Sequence, residues 1–333
     1  MLDIYEFSAV FPSGTEIYSQ NVQHTIRSNR RTLGGSLFFD KLLAQLHVKS
    51  VSESRPPSAN RGYLYPPSKD GNLEELHDKI VSAEIADHYK QSLLYYLLKD
   101  CTALDDEEAA ETFAKKSHLS HKYWIVIQGL WNLDHLQFEA ALEYLTHPSL
   151  LPAFPEDILR VLIDHGKLAN KHLPLAYYNA VRPPLTNPDL QKSYVTYLAH
   201  LSLIQAYFFI ETQPVQDHKS LFELLIDDAL QHSRSDGSSN VVDELINLPL
   251  TAEQEAWFEE YLLEGKGRTY HAARDTVVAR RLALGKYAEA IEAGQQLSGR
   301  RFNDINWDGI KDMVATSLGS RVEVDSVFNV AEI

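Results

Sequence analysis

The sequence of 333 residues contains one cysteine, Cys101, which excludes a disulfide within the chain and a zinc site built from several cysteines. This cysteine usage fits a reducing compartment. The first ten residues carry acidic side chains and no basic stretch before a short apolar run, which argues against a secretory signal. We therefore expect a protein of the cytosol or nucleus.

Positive charge is also scarce. Asp and Glu outnumber Lys and Arg by 46 to 31, which gives a net charge of -15 and opposes binding to phosphate backbones. Direct nucleic-acid binding by this segment is therefore not expected. Local basic clusters remain at two places, formed by Arg27, Arg30 and Arg31 and by Arg280, Arg281, Arg300 and Arg301.

Alternating runs of β-branched residues are lacking, apart from short pieces such as 321–327, so little or no sheet is expected. Apolar residues instead recur at steps of three to five residues, for example over 73–100, which predicts a long helix. We predict helices at 36–48, 73–100, 106–117, 120–134, 136–146, 156–165, 167–180, 188–210, 217–232, 239–247, 252–264, 268–284 and 286–298.

Three of these helices have a recognisable start. Asn72 with Glu75 and Thr251 with Gln254 have the spacing of a capping box, and Asn187 precedes a proline at the first helical position.

The predicted fold class is all-α, an irregular helical solenoid of stacked antiparallel helical hairpins. A weak internal echo supports it, because 133–143 aligns with 282–292, with Phe138 matching Tyr287 and Ala141 matching Ala290. Any amphipathic hairpin can produce such a pattern, and one echo does not define a repeat family.

Proline and serine mark the clearest linker, at 50–71, and 232–240 is a second loop. Tyr63, Leu64 and Tyr65 interrupt the linker and either anchor it to the body or are sparse apolar residues in a flexible segment. We predict an N-terminal helical segment at 1–49, a loop at 50–71, a helical solenoid at 72–318 and a flexible tail at 319–333.

Long hydrophobic runs are rare, and 193–210 is the exception. It has no charged residue and approaches the length of a membrane span, but five polar side chains interrupt it. We interpret it as part of a central helix buried on most sides by its neighbours.

Motifs of catalysis and metal binding are also lacking. His77 and Asp78 resemble the metal-binding dipeptide of all-helical phosphohydrolases, which leaves a metal-dependent enzyme as an alternative. His118 and His121 lack a third ligand, and Gly265 and Gly267 lack the remaining P-loop positions. We therefore predict no catalytic residue, cofactor or metal site.

The most distinctive segment, 123–159, is rich in aromatic residues and has the pattern of a helical hairpin. Gly129 would let a neighbouring helix approach closely, and three prolines beyond the second helix would end it. Its sequence resembles the ELYS-like domain through QGLW at 128–131, LDH at 133–135, FEAAL at 138–142, HPSLLP at 147–152 and Phe154. The resemblance covers most of residues 30 to 300.

This resemblance implies a helical solenoid within the Y-shaped outer-ring complex of the nuclear pore, and hence a nuclear, non-enzymatic scaffold. The implied partners are the long-arm propeller-solenoid scaffold nucleoporin and the small propeller nucleoporin attached to it. Vertebrate members also carry a β-propeller and basic chromatin-binding motifs, which are not evident here, so the chain resembles a short fungal form or a fragment. A helical-repeat adaptor of a vesicle coat or proteasome lid is the other alternative.

We expect the motif residues to be mainly structural, with Asp134 and His135 hydrogen-bonded across the hairpin turn. The motif set comprises Trp124, Gln128, Gly129, Trp131, Asp134, His135, Phe138, Pro148, Ser149, Pro152 and Phe154. Possible partner-docking residues near the carboxyl end are Val324, Val327 and Phe328.

Overall fold

The computed structural model describes residues 2–11, 18–48, 64–67, 70–102, 107–165, 171–236, 240–287, 289–290, 293 and 316. Every regular element in these ranges is helical, and none of the described residues forms a strand. Contacts divide the chain into two compact units, Met1–Pro184 and Leu185–Ile333. The predicted fold class, an all-α helical solenoid, is confirmed by the helical organisation of each unit.

The first unit contains ten described α-helices. They are α1 (Phe7–Val10), α2 (Gln20–Thr32), α3 (Phe38–Gln45), α4 (Asp70–Ser82), α5 (Asp87–Thr102), α6 (Glu107–Lys116), α7 (His121–Asp134), α8 (Phe138–Leu145), α9 (Pro155–His165) and α10 (Leu173–Val181).

Helix α5 lies at the centre of the first unit. It packs against α4, α6 and α7, and six consecutive side chains, at residues 93–98, are no more than 1% exposed. This run of α5 is buried on all sides, because neighbours surround it. Helix α7 forms a hairpin with α8 and also packs against α3.

The second unit contains six described α-helices and one 3-10 helix (Lys266–Thr269). The α-helices are α11 (Pro188–Leu201), α12 (Leu203–Glu211), α13 (Val215–Asp236), α14 (Asn240–Ile246), α15 (Ala252–Leu263) and α16 (Ala273–Ala283). Helices α11, α12 and α13 pack against one another, and α14 and α15 join them through α13.

Two predicted long helices are each broken into two. Residues 83–86 separate α4 from α5, and Ser202, with an extended backbone (φ -168°), separates α11 from α12. The predicted cap at Asn72 is wrong, because α4 already begins at Asp70. The helices α1 and α2 lie within the predicted N-terminal helical segment, although no helix was predicted at their individual positions.

The other two caps are confirmed. The Asn187 side chain accepts hydrogen bonds from the backbone N–H groups of Asp189 and Leu190. Thr251 and Gln254 form the reciprocal capping box at the start of α15.

Part of the proline-rich stretch is held in the core. Leu64 and Tyr65 are 3% and 1% exposed, which confirms anchoring for these two residues, whereas Tyr63 lies outside the described residues. The division into 1–49, 50–71, 72–318 and 319–333 stays a prediction.

The apolar run at 193–210 does not form a membrane span. No helix among the described residues is long and apolar enough to cross a bilayer.

Candidate functional site

The carboxylate of Asp134, the last residue of α7, joins three helices. Its two oxygens accept the backbone N–H groups of Phe38 at 2.7 Å and Phe39 at 2.9 Å, and the Tyr96 hydroxyl donates to it at 2.7 Å. The two amides begin α3, where N–H groups have no partner within the helix and favour a negative charge. Asp134 therefore caps α3 from α7 and reaches α5 through Tyr96.

A second carboxylate, Asp100 in α5, is only 1% exposed, and its donors among the described residues are side chains. The Trp131 indole N–H donates to it at 2.7 Å, and the hydroxyls of Tyr18 and Tyr65 donate at 2.9 and 2.7 Å. We call the two carboxylates and the four side chains that donate to them the buried network: Tyr18, Tyr65, Tyr96, Asp100, Trp131 and Asp134.

His135 lies at the edge of the buried network. Its ring stacks on Trp131 with 3.8 Å between centroids, its Nδ1 lies 2.8 Å from the Trp131 carbonyl oxygen, and its Nε2 lies 3.6 Å from Asp100 Oδ1. The predicted bond across the hairpin turn is wrong, because Asp134 is directed to α3 and α5 and His135 to Trp131 and Asp100. A side chain at the end of a helix can bond to residues that are close in space but distant in sequence, and such partners cannot be read from the sequence.

Burial is the largest influence on the pKa values of the two carboxyl groups. It raises the pKa of Asp134 to about 7, although hydrogen bonds from Tyr96, Phe38 and Phe39 act in the opposite direction. Burial also raises the pKa of Asp100, against the influence of His135.

Burial, together with the neighbouring carboxylates, raises the pKa values of Tyr65 and Tyr96 well above the ordinary value. These phenols therefore remain protonated hydrogen-bond donors at neutral pH.

A buried ion pair connects α2, α3 and the segment that carries Tyr65. Arg30 donates to both oxygens of Asp40 at 2.9 Å and to the Tyr65 carbonyl oxygen at 2.8 Å. Asp40 in turn accepts the backbone N–H of Leu37 at 3.0 Å, one residue before α3 begins. The pair thus holds the segment in place and caps α3 from within.

Trp124 and Gln128, on α7, belong to a separate polar cluster. Glu111 accepts the Trp124 indole N–H at 3.1 Å and the Tyr95 hydroxyl at 2.7 Å, while the Gln128 side chain donates to Tyr95 at 2.6 Å. These contacts join α5, α6 and α7.

Gly129 on α7 packs closely against Leu145 on α8. A Cβ atom at this position would lie 2.4 Å from Cγ of Leu145, far inside van der Waals contact. The absence of a side chain therefore allows the hairpin to close.

The remaining motif residues follow the hairpin turn and the loop beyond α8. The ring of Phe138 stacks on that of His165 with 5.5 Å between ring centroids, and the ring centroids of Phe154 and Phe38 are 6.3 Å apart. The loop residues Pro148, Ser149 and Pro152 are exposed. The predicted docking residues, Val324, Val327 and Phe328, lie outside the described residues.

Sequence reasoning missed Asp100, Tyr96 and the Arg30–Asp40 pair. A signal exists for the first two, because Tyr96 and Asp100 are one helical turn apart, within and just after the run LLYYLL at 93–98, which carries no charged residue. Polar groups in such a helix need internal partners. The partners themselves come from distant parts of the chain and leave no local pattern.

The His77 and Asp78 pair does not form the metal site that the enzyme alternative requires. His77 is fully buried with Nε2 3.0 Å from the carbonyl oxygen of Ile4, whereas the Asp78 side chain is 72% exposed. Within the described ranges, no group of three His, Cys, Asp or Glu side chains could hold a metal ion.

Three described arginines of the two basic clusters, Arg30, Arg280 and Arg281, are engaged in ion pairs. Arg280, 3% exposed, binds the carboxylate of Glu255 and the carbonyl oxygen of Leu248, and Arg281 binds Glu259 at 2.7 Å. Arg300 and Arg301 lie outside the described residues. These three arginines therefore stabilise the fold through internal partners.

Large apolar side chains are exposed at several places among the described residues, including Val215 on α13 at 80%. Leu151, in the loop of residues 146–154 between α8 and α9 that we call the motif loop, is 91% exposed. In the second unit, Ile204 and Phe208 on α12 are 46% and 56% exposed. These positions are candidates for contact with other proteins.

Comparison with known proteins gives a family match over most of the described helices. The family model described as "ELYS: Nuclear pore complex assembly" matches residues 36–265. This range runs from the start of α3 past the end of α15 and includes the motif hairpin.

Individual relatives agree with the family match. The chain is 28% identical over 293 residues to "Uncharacterized protein ely5" of Schizosaccharomyces pombe, covering 87% of this chain and 88% of the relative. It is 22% identical over 278 residues to Protein ELYS of Xenopus laevis and 20% over 273 residues to Protein ELYS of Homo sapiens. These matches cover 81% and 80% of this chain but only 11% of each vertebrate protein.

Proposed function

Because the chain belongs to the ELYS family of nuclear pore complex assembly proteins, we propose that it is a structural scaffold nucleoporin of the outer-ring Y-complex that acts by binding other proteins. Family membership assigns it to the nucleus, at the nuclear pore complex. The finer role, as a Y-complex subunit, rests on the motif resemblance and on the structure of the motif hairpin.

The single observation that carries the proposal is the family match over 36–265, a range that contains the described helices α3 to α15. Within this range, the buried acidic side chains of the first unit hold its helices together. Asp100 and Asp134 are saturated by donors from tyrosine, tryptophan and backbone amides. A scaffold needs such rigid helices and presents its outer surface to partners.

The proposed partners are the long-arm propeller-solenoid scaffold nucleoporin and the small propeller nucleoporin attached to it. Both would meet a chain of net charge -15, so basic or neutral contact surfaces are favoured on their side.

The test is quantitative affinity purification of the tagged full chain from the cells that make it, with imaging of a fluorescent fusion. We expect fluorescence at the nuclear rim and enrichment of both proposed partners over an untagged control. Enrichment of vesicle-coat or proteasome-lid subunits instead, with no rim signal, would support the adaptor alternative and overturn the proposal.

A matched pair of variants separates specific binding from mere foldedness. Leu151→Asp changes a side chain that is 91% exposed, whereas Asp164→Asn changes an exposed polar one on α9. Neither is expected to unfold the chain. Loss of a proposed partner with the first variant alone would locate its binding surface near the motif loop.

A further inference from the structure

Helix α12 is apolar nearly all round, yet one of its faces is exposed. Its sequence, LIQAYFFIE, contains only two strongly polar residues, Gln205 and Glu211. The inner positions, Leu203, Ala206, Tyr207, Phe209 and Ile210, are 8% exposed or less. A helix with this composition is normally covered on every side, and the sequence accordingly predicted a helix buried by its neighbours.

The outer face of α12 consists of Ile204, Gln205, Phe208 and Glu211. Ile204 and Phe208 are separated by four residues, so they lie one above the other on the helix and form a continuous apolar strip. They are 46% and 56% exposed. The strip has the spacing by which a helix receives the apolar side chains of an amphipathic partner segment.

Carboxylates lie at both ends of this strip. At the amino end, the exposed Glu244 accepts the backbone N–H of Leu203 at 3.3 Å. At the carboxyl end, the exposed Glu211 follows Phe208 by three residues and accepts the side-chain N–H of Gln254 at 2.6 Å. Within the part of the chain that the structure describes, neither carboxylate has a Lys or Arg partner, so their negative charge remains available to a ligand.

We propose that the outer face of α12 binds an amphipathic helical segment of another protein, with apolar side chains in its middle and Lys or Arg toward both ends. The basic residues would meet Glu244 and Glu211 while the apolar side chains cover Ile204 and Phe208. This inference rests on the proposed protein-binding function and names the chemistry of one partner.

The charges argue against two other occupants of the outer face of α12, a second copy of this chain and its own residues 319–333. In a two-fold contact between copies, the acidic ends of one outer face would oppose those of the other, and the whole chain carries a charge of -15. The residues 319–333 of this chain include three acidic side chains and one basic side chain, which also fails to complement the face.

The experiment places a photoreactive residue on the face in the full chain, in the cells that make it. Phe208→p-benzoylphenylalanine is compared with Leu151→p-benzoylphenylalanine, which probes an exposed apolar side chain of the other unit. After irradiation, mass spectrometry identifies the crosslinked segment. We expect position 208 to capture a segment with helically spaced apolar residues and flanking Lys or Arg that position 151 does not capture.

The captured segment is then synthesised as a peptide and titrated onto the purified full chain. We expect Phe208→Asp to weaken binding about tenfold or more, Glu211→Gln to weaken it about threefold, and Leu151→Asp to leave it unchanged. Added salt should weaken binding to the native chain more than binding to the Glu211→Gln variant. Circular dichroism checks that each variant retains its helical content.

Several outcomes overturn the inference: no crosslink at 208, a crosslink to this chain or another copy, an acidic captured segment, or equal loss of affinity with Leu151→Asp. The proposed function fails separately. If the segment has the expected chemistry but comes from a protein outside the nuclear pore, the face binds as inferred and the scaffold role is wrong. If nucleoporins still copurify although position 208 captures nothing, only the inference is wrong.

Discussion

Among single residues, Asp100 and Asp134 are both buried carboxylates, but their donors differ in kind. In the described part of the chain, Asp100 receives hydrogen bonds from side chains, which can rotate toward other acceptors when it is removed. Asp134 receives two backbone N–H groups at the start of α3, whose positions the helix fixes. Removing Asp134 therefore leaves two fixed backbone donors without their acceptor. We expect this removal to lower the free energy of unfolding more than removal of Asp100.

We expect Asp134→Ala to lower the free energy of unfolding by about 3 kcal/mol at a pH of about 5.5, because two amides and the Tyr96 hydroxyl lose their buried acceptor. Urea denaturation followed by circular dichroism measures it. Asp164→Ala, at an exposed position of α9, is the matched control and should change stability by less than about 0.5 kcal/mol. Equal effects of the two substitutions would disprove the capping role.

The pH dependence of this penalty follows from the raised pKa. The Asp134 carboxyl has a pKa of about 7 in the folded chain, against about 3.9 in an unfolded one. Between these values the folded state binds more protons than the unfolded state, so the contribution of Asp134 to stability falls as the pH rises from about 4 to about 7.

We therefore expect the stability difference between the native chain and Asp134→Ala to shrink as the pH rises through this window. Urea denaturation at several pH values measures it, and Asp164→Ala serves as the reference for unrelated titrations. A difference that grows with pH would mean that the three donors outweigh burial and keep the carboxyl ionised.

At the residue scale, the close contact at Gly129 was predictable from the sequence, whereas the partners of Asp134 were not. The spacing around Gly129 correctly suggested a close helix approach, because both partners belong to one hairpin and are near in sequence. The partners of Asp134 are 38 to 96 residues away, and no local pattern encodes such pairings.

Among the helices, two of the three predicted caps are confirmed, whereas the breaks within the two long helices were not predicted. Asn187 and Thr251 act within one turn, so their role is readable from adjacent residues. The break at Ser202 leaves the apolar period almost unchanged, and residues 93–98 of α5 are buried on all sides, so the apolar residues of this run carry no face preference. Periodicity reports one-sided burial and is uninformative where burial is complete.

The hairpin of α7 and α8 gives an element-scale prediction. Gly129→Ala adds a Cβ atom that would lie 2.4 Å from Leu145 Cγ, so Leu145 must move within a packed interface. We expect destabilisation of about 1 to 2 kcal/mol, despite the higher helix propensity of alanine. Urea denaturation is again the measurement.

A double-mutant cycle isolates the cause. In a Leu145→Ala background the added methyl group has space, so Gly129→Ala should cost less there or even stabilise the chain. Additive effects of the two substitutions would refute the close-contact explanation.

For the whole molecule, the all-α fold was predictable from two features of the sequence. Apolar residues recur at helical spacing along most of the chain, and alternating runs of β-branched residues are few. The grouping of contacts into two units was harder to foresee. The first unit ends at Pro184, next to Pro183 and to Arg182 with its left-handed backbone. The stronger proline signal at 50–71 does not mark a boundary, because it contains Leu64 and Tyr65 of the first core. Proline content marks breaks in helices, but contacts decide where a unit ends.

Charge gives the last prediction, at this same scale. The chain carries a net charge of -15, and its described arginines at 30, 280 and 281 are held by Asp40, Glu255 and Glu259. We therefore expect the full chain not to saturate a fluorescent DNA duplex below about 10 μM protein at about 150 mM salt, as measured by fluorescence anisotropy. Tighter binding that disappears on replacing Arg300 and Arg301 by alanine would show that a local basic cluster overrides the acidic field of the molecule.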